Sequence, residues 1–140
     1  MKRILALDYG RKRVGVAISD PLGIFAQGLE VLHIRGKADL LGKISKYFNI
    51  YEIEQIVIGN PLNKDGSESQ LSEEIKKIAN LINKSYNVEI ILWDERFTTR
   101  EAETSLKGFG SKKFNKYKDK ISAQLILQSY LERLRNERLS

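Results

Sequence analysis

Three acidic positions stand where the chain passes from one regular element to the next, and they carry the chemistry this sequence could perform. Asp8 closes the apolar run Ile4-Leu5-Ala6-Leu7; Glu95, with Asp94 beside it, follows the run Val88 to Trp93; Asp119 opens the last amphipathic stretch. Successive residues of an extended chain point to opposite faces, so only one of Asp94 and Glu95 is expected to reach a shared site. The carboxyl end of a central strand is where open α/β sheets bind ligands. Packing explains a carboxylate there poorly, because burying one is costly unless it is paired or metal-bound. Three converging carboxylates would repel one another unless a divalent cation neutralised them. Two such ions about 3.5–4 Å apart would activate a water and stabilise the leaving oxygen in phosphodiester cleavage. The chain has no cysteine and one histidine, His33. Thiolate and histidine-rich metal sites are thereby excluded, and oxygen ligands select Mg²⁺ or Mn²⁺.

Each acid also has a plainer reading. Asp8 suits a turn aspartate bonded to its own backbone, and Asp119 an ordinary helix N-cap. Asp94 and Glu95 could pair with Arg96 or Arg100 in a solvated loop. Around the acids lie cations placed to meet an anionic polymer: Arg11, Lys12 and Arg13 after Asp8, and Arg96 after Glu95. The segment Lys107 to Lys120 carries Lys112, Lys113, Lys116 and Lys118 among Phe109, Phe114 and Tyr117. It reads either as a solvated mobile loop or, leading straight into Asp119, as a grip for phosphates and unpaired bases. Trp93 reads as core rather than as a base-stacking platform, and His33 as structural or exposed.

The elements that must position these residues follow from periodicity. Ile4–Leu7 and Val14–Ile18 are short strand signals joined by Tyr9 to Arg13, an antiparallel hairpin in which Gly10 is free to take positive φ. Ile24–Ile34 is a third extended stretch after the turn cluster Ser19 to Gly23. Leu40, Leu41, Ile44, Tyr47 and Phe48 share one helical face. Gln55–Gly59 is a strand ending at glycine, followed by the polar loop Asn60–Ser67. Ser67 with Gln70 resembles a capping box for a helix carrying Leu71, Ile75, Ile78 and Ile82. Val88–Trp93 is the fifth strand. Thr98 with Glu101 opens a short helix toward Leu106, and a last helix runs from about Asp119 toward Arg135. Strands separated by helices must run parallel with right-handed crossovers. The expected architecture is α/β: a mixed five-stranded sheet, an antiparallel three-strand meander then parallel strands, with helices on both faces.

A chain of 140 residues, 41% hydrophobic and 30% charged, has the profile of one globular domain spanning 1–140. Its 24 Lys+Arg against 18 Asp+Glu give +6, which favours an anionic partner, most commonly nucleic acid. The apolar run at the amino terminus is cut by Asp8, so no signal-peptide core forms, and no stretch reaches membrane-spanning length. A cytoplasmic location is the simplest expectation.

Four blocks in order make the chain similar to the YqgF/RuvX family of ribonuclease H-like proteins. They are Leu7-Asp8-Tyr9-Gly10 with Arg13 to Asp20; Val57 to Leu62 with Asp65-Gly66-Ser67; Asp94 to Thr99; and Asp119 with Ala123 and Leu125 to Leu131. The resemblance spans nearly the whole chain. It implies a bacterial cytoplasmic protein of ribonuclease H-like fold, assigned as a nuclease of precursor 16S ribosomal RNA acting in 5′-end maturation, and earlier considered a Holliday junction resolvase. The family's acidic positions fall on Asp8, Glu95 and Asp119. Asn60 stands where the family commonly has leucine and Ser122 where it often has alanine; neither is an acidic position.

The resulting expectation is a Mg²⁺- or Mn²⁺-dependent nuclease in which Asp8, Glu95 and Asp119 hold the metal, the basic residues position the backbone, and RNA is the partner. Cleavage of branched DNA is a second reading, and it requires a two-fold dimer. The sequence shows no obvious dimer helix, which leaves monomer and weak dimer both open. An actin-like phosphotransferase needs two lobes, more than this length supplies. A non-catalytic RNA-binding domain is the remaining alternative.

Overall fold

The computed structural model describes residues 2–98 and 118–139, and the side chains of all of these except 118–120. Among the described residues five strands make one mixed sheet: β1 (Lys2–Tyr9), β2 (Arg13–Ser19), β3 (Ala26–His33), β4 (Glu52–Asn60) and β5 (Glu89–Asp94). Their spatial order is β3-β2-β1-β4-β5. The first three form the antiparallel meander, whereas β4 runs parallel to β1 and β5 parallel to β4. The expected mixed topology is therefore present, with β1 in the centre.

Helices cover both faces. On one side α1 (Lys37–Ile50) and α2 (Gln70–Tyr86) bring Leu40, Ile44, Ile75, Ile78 and Ile82 onto Leu5, Leu7, Val16, Ile18, Ile56 and Ile58. On the other, α3 (Lys118–Leu139) lays Ala123, Ile126, Leu127 and Tyr130 on Ile4, Ala6, Ala17 and Val57. Alternate residues of β1 and β4 thus feed opposite layers, as the period of two dictates. Removing one of the wholly buried side chains, such as Leu5 or Ile58, by truncation to alanine should cost about 2–5 kcal/mol. No helix among the described residues is long and apolar enough to cross a membrane.

Two local expectations are corrected. The cap of α2 is Ser69, not Ser67: Ser69 Oγ accepts from the Ser72 amide and Ser72 Oγ from the Ser69 amide, each at 3.2 Å. Ser67 is taken up earlier, where its amide and hydroxyl both bond Asp65 Oδ1 (2.9 and 2.6 Å) in a tight turn. Gly10 does not use positive φ. Its amide bonds the Arg13 carbonyl at 2.9 Å, and a Cβ there would lie 2.7 Å from that oxygen, so glycine serves close approach instead. His33 ends β3 exposed. The helix expected beyond Thr98 and the basic segment up to Tyr117 lie outside the described residues.

Candidate active site

Asp8, next to last in the central strand, lies between two glycines on the neighbouring strands. It is paired with Gly15 on β2 and stands next along the ladder from Leu7↔Ile58, level with Gly59 on β4. Residues opposite one another in a sheet share a face, so neither neighbour projects a side chain into the space beside the carboxylate. That space is a cleft at the carboxyl edge of the sheet.

Glu95 fills it. After β5 the chain turns through a single 3₁₀ turn, Glu95–Phe97. The Asp94 side chain caps that turn by accepting from the Arg96 amide at 2.9 Å. Gly59 pairs with Trp93 and Asn60 with Asp94, which assigns Trp93 to the α3 face and Asp94 to the other. The turn then swings Glu95 back across β4. A Cβ on Gly59 would lie 2.6 Å from Glu95 Oε1 and 2.6 Å from Ile126 Cδ1, so the missing side chain is the slot through which Glu95 reaches its partner. That partner is Asp8, with which Glu95 shares a side-chain hydrogen bond. Burial, then the negative charge and hydrogen bond of Asp8, push the Glu95 carboxyl up to about 7. Two carboxyl groups in contact cannot both ionise at ordinary cost, so the pair holds its last proton well above the usual carboxylate range and releases it around neutral pH.

Asp94 has a different part. Its carboxylate is gripped by the Arg96 fork, with Nη2 at 2.7 Å from Oδ2 and Nε at 3.0–3.1 Å from both oxygens. These bonds hold it below the usual aspartate range. Only one of the two adjacent acids therefore turns to Asp8, in keeping with strand alternation.

The third expected acid, Asp119, lies in the first turn of α3, and its side chain is outside the described residues. Its backbone position is informative. Ile126 meets the Gly59 position, and the Tyr130 hydroxyl donates to Gln55 Oε1 at 2.9 Å. Helix α3 therefore descends along β4 as it proceeds, and its earlier turns extend toward the carboxyl edge of the sheet. Asp119 precedes Ala123 by four residues and Ile126 by seven, on the same stripe of the helix. Among the described residues no group of three metal-ligating side chains comes together; the described assembly is the Asp8–Glu95 pair.

The basic residues divide. Arg11, Lys12 and Arg13 border, with Asp8, an open groove of about 460 Å³. Arg11 Nε is held 3.0 Å from Glu74 Oε2, whose other oxygen accepts from the Tyr9 hydroxyl at 2.9 Å. Burial and Glu74 raise the Tyr9 phenol to about 12, leaving it a proton donor throughout the neutral range. Arg96 is turned elsewhere: beyond its fork on Asp94, Nη1 donates to the Lys64 carbonyl at 3.3 Å, and the guanidinium lies against Gly66. It ties the 61–67 loop to the end of β5. Lys112, Lys113 and Lys116, and the side chain of Lys118, lie outside the described residues.

Two features escaped the reading of residues alone. Gly59 was visible as a strand-ending glycine, yet its role as the passage for Glu95 depends on the register of β4 against β1 and β5. Asn60, one of the two departures from the family pattern, places Oδ1 in a buried position with no hydrogen-bond partner among the described residues. Nothing else in the structure explains that residue.

Comparison with known proteins places the chain. The family model for RuvX, described as Holliday junction resolvase, matches residues 2–133. The chain belongs to the RuvX family. A relative from Caldicellulosiruptor bescii is 46% identical over 134 residues, covering 93% of this chain and 96% of its own. One from Koribacter versatilis is 42% identical over 133 residues, covering 94% and 87%. Both carry the name "Putative pre-16S rRNA nuclease". Among solved structures, Thermus thermophilus RuvC in complex with a Holliday junction substrate is similar with a TM-score of 0.58 at 12% identity, over 92% of each chain. The Fowlpox virus resolvase complexed with junction DNA gives 0.53 at 15% identity, over 94% of this chain and 98% of that one. At such identities the structural likeness establishes the fold: this RuvX-family chain has the ribonuclease H-like architecture of the RuvC-type resolvases.

Proposed function

We propose that this chain is a divalent-metal-dependent nuclease that hydrolyses phosphodiester bonds of RNA, with precursor 16S ribosomal RNA as its substrate and 5′-end maturation as its task. The observation that carries the reading is the Asp8–Glu95 pair: two carboxyl groups pressed together at the ligand-binding edge of the sheet, one of them pushed up to about 7. A structural ion pair would put a cation beside such a group. Here the neighbour that raises Glu95 is a second acid, an arrangement that a divalent cation would stabilise. All donors at hand are hard oxygens, which fits Mg²⁺ or Mn²⁺ and does not suit softer metals.

Asp8 and Glu95 would hold the metal, with Asp119 completing the set from α3. The ion would lower the pKa of an attacking water and offset charge on the phosphate. The chain's own residues do the rest. The glycines beside Asp8 leave room for a phosphate to approach, and Glu95 gives up its proton in the neutral range. Arg11, Lys12 and Arg13 line the groove where they would hold the sugar–phosphate backbone in register without reading sequence. Substrate choice follows the curated relatives at 40% identity and above, whose names refer to rRNA. The family description refers to DNA junctions, and a chain acting on those would need a two-fold dimer.

The test compares wild type with Asp8→Asn on a precursor 16S transcript and on a four-way DNA junction, each with Mg²⁺ or Mn²⁺ and with chelator. Metal-dependent trimming of the transcript, abolished in the folded variant, is the expected result. Full-rate cleavage by Asp8→Asn overturns the proposed site; preference for the junction overturns the substrate.

A further inference from the structure

A recess of about 420 Å³ lies on the α3 face of β5, lined by the end of the turn that carries Glu95 and by the later turns of α3. Its floor is the chain's sole tryptophan, Trp93. Phe97 meets Trp93 edge-on, with ring centroids 5.7 Å apart and planes at 66°. Tyr130 supports Trp93 from the core side at 5.4 Å and 76°. The Arg133 guanidinium sits 6.0 Å from both the Trp93 and the Phe97 centroids.

The cluster is fixed in place. Ser129 Oγ donates to the Phe97 carbonyl at 2.6 Å and accepts from Trp93 Nε1 at 3.3 Å, which pins the 3₁₀ turn to α3. Yet Phe97 keeps 47% of its surface exposed. A ring left open to water in this way forgoes the gain of burying its apolar surface, and core packing does not require it.

Its position gives the exposure a use. Phe97 and Glu95 belong to the same turn. With about 2 Å of rise and 120° of rotation per residue, they stand roughly 4 Å apart along the axis and point in different directions. Glu95 turns toward Asp8, while Phe97 turns toward the recess. The carboxylate and the ring thus stand on the same single turn, a separation that the span from a phosphate to the neighbouring base can bridge. Among the described residues the charges at the ledge nearly balance: Arg133 and Arg96 against Glu132 on the rim, with Glu137 accepting from Arg133 Nε at 3.3 Å. That is a poor trap for a bare phosphate. It suits the neutral π-face of a base, which stacks on an aromatic ring and beneath a guanidinium.

We infer that Phe97, backed by Trp93 and Arg133, is a stacking subsite for an unpaired nucleobase flanking the scissile phosphate. The inference rests on the nuclease reading for its geometry, but its test does not require cleavage. Trp93 is the only tryptophan, so its fluorescence reports on the ledge directly. Full-length protein is titrated in chelator with a short single-stranded RNA, with the same RNA carrying abasic sites, and with inorganic polyphosphate.

Wild type should show quenched Trp93 emission with the intact RNA and bind it about tenfold more tightly than the abasic one. Phe97→Ala and Phe97→Leu should bind both RNAs equally, at the weaker level, with unchanged far-ultraviolet circular dichroism. Phe97→Leu keeps apolar bulk and separates stacking from packing. Equal binding of intact and abasic RNA by wild type overturns the subsite, as does quenching by polyphosphate as strong as by RNA. Base-dependent quenching without metal-dependent cleavage of any nucleic acid leaves the ledge standing and removes the nuclease reading. Cleavage without base dependence does the reverse.

Discussion

Glu95 hydrogen-bonds Asp8 from two strands away, across Gly59, a position on β4 that has no side chain. Three separate pieces of sequence have to cooperate for this contact: a strand-terminal acid, a glycine in register with it, and a 3₁₀ turn that redirects the second acid.

Asp8→Asn tests what the contact is for. Several kcal/mol of charge stabilisation are at stake in a metal-assisted hydrolysis, so metal-dependent cleavage should fall by about 10³-fold. The same change removes the charge that helps raise Glu95, and the Glu95 carboxyl should then titrate closer to the ordinary glutamate range. Carboxyl-carbon NMR on metal-free protein reads that shift. An unmoved Glu95 with intact activity would contradict the pairing.

The raised Glu95 carboxyl also predicts a pH dependence of stability. Its value rises on folding from 4.5 to about 7, so the folded state binds the proton more tightly than the unfolded one. The contribution is fully favourable below pH 4.5 and is lost as pH climbs through about 7. Glu95→Gln has no such group. In chelator it should overtake wild type in urea denaturation between pH 5 and 8, by on the order of 3 kcal/mol as a ceiling. Adding Mg²⁺ should then stabilise wild type more than the variant, because the ion binds only the intact carboxylates.

Gly59→Ala separates room from charge. The new methyl would lie 2.6 Å from both Glu95 Oε1 and Ile126 Cδ1. Both are ends of flexible side chains, so the fold should survive at a cost of about 1–3 kcal/mol. Glu95 would move off Asp8, and a displacement near 1 Å is worth about 10²-fold in rate. Gly42→Ala is the control: it lies inside α1 with nothing within 4 Å of its Cβ position. It should stabilise by about 0.5–1 kcal/mol without touching activity.

Sequence periodicity was enough to place the strands, their parallel and antiparallel pairing and the two helical layers, because every central strand alternates between two apolar faces and each helix carries a single stripe. It was also enough to bring Asp8 and Glu95 to one edge. What it could not show was register. Ser67 and Ser69 both sit three residues before a polar side chain, and only the Asp65 turn decides that Ser69 caps α2. Arg96 reads from its neighbourhood either as a backbone-binding cation or as an ion-pair partner of Asp94 or Glu95, and the sequence does not choose. Its fork on Asp94 depends on which way Asp94 points, and that is fixed by pairing with Asn60 across the sheet. Phe97 looks like any aromatic in a loop until the turn holds it beside Trp93.

The division of the cations gives the last prediction. A side chain that neutralises a phosphate releases a counterion, so its removal lowers the slope of log affinity against log salt by about one. Lys12 borders the Asp8 groove, and Lys12→Ala should lower the slope by that amount for RNA binding in chelator. Arg96 is already committed to Asp94 and to the Lys64 carbonyl. Arg96→Ala should leave the slope unchanged and instead speed amide exchange in the 61–67 loop, where the Asn63 and Gly66 amides close the turn. Arg96→Lys should not restore protection, since an ammonium cannot reproduce the two-pronged grip on the carboxylate. A fall of one in the slope for Arg96→Ala, with loop exchange unaltered, would return Arg96 to the nucleic-acid surface and leave the loop without its anchor.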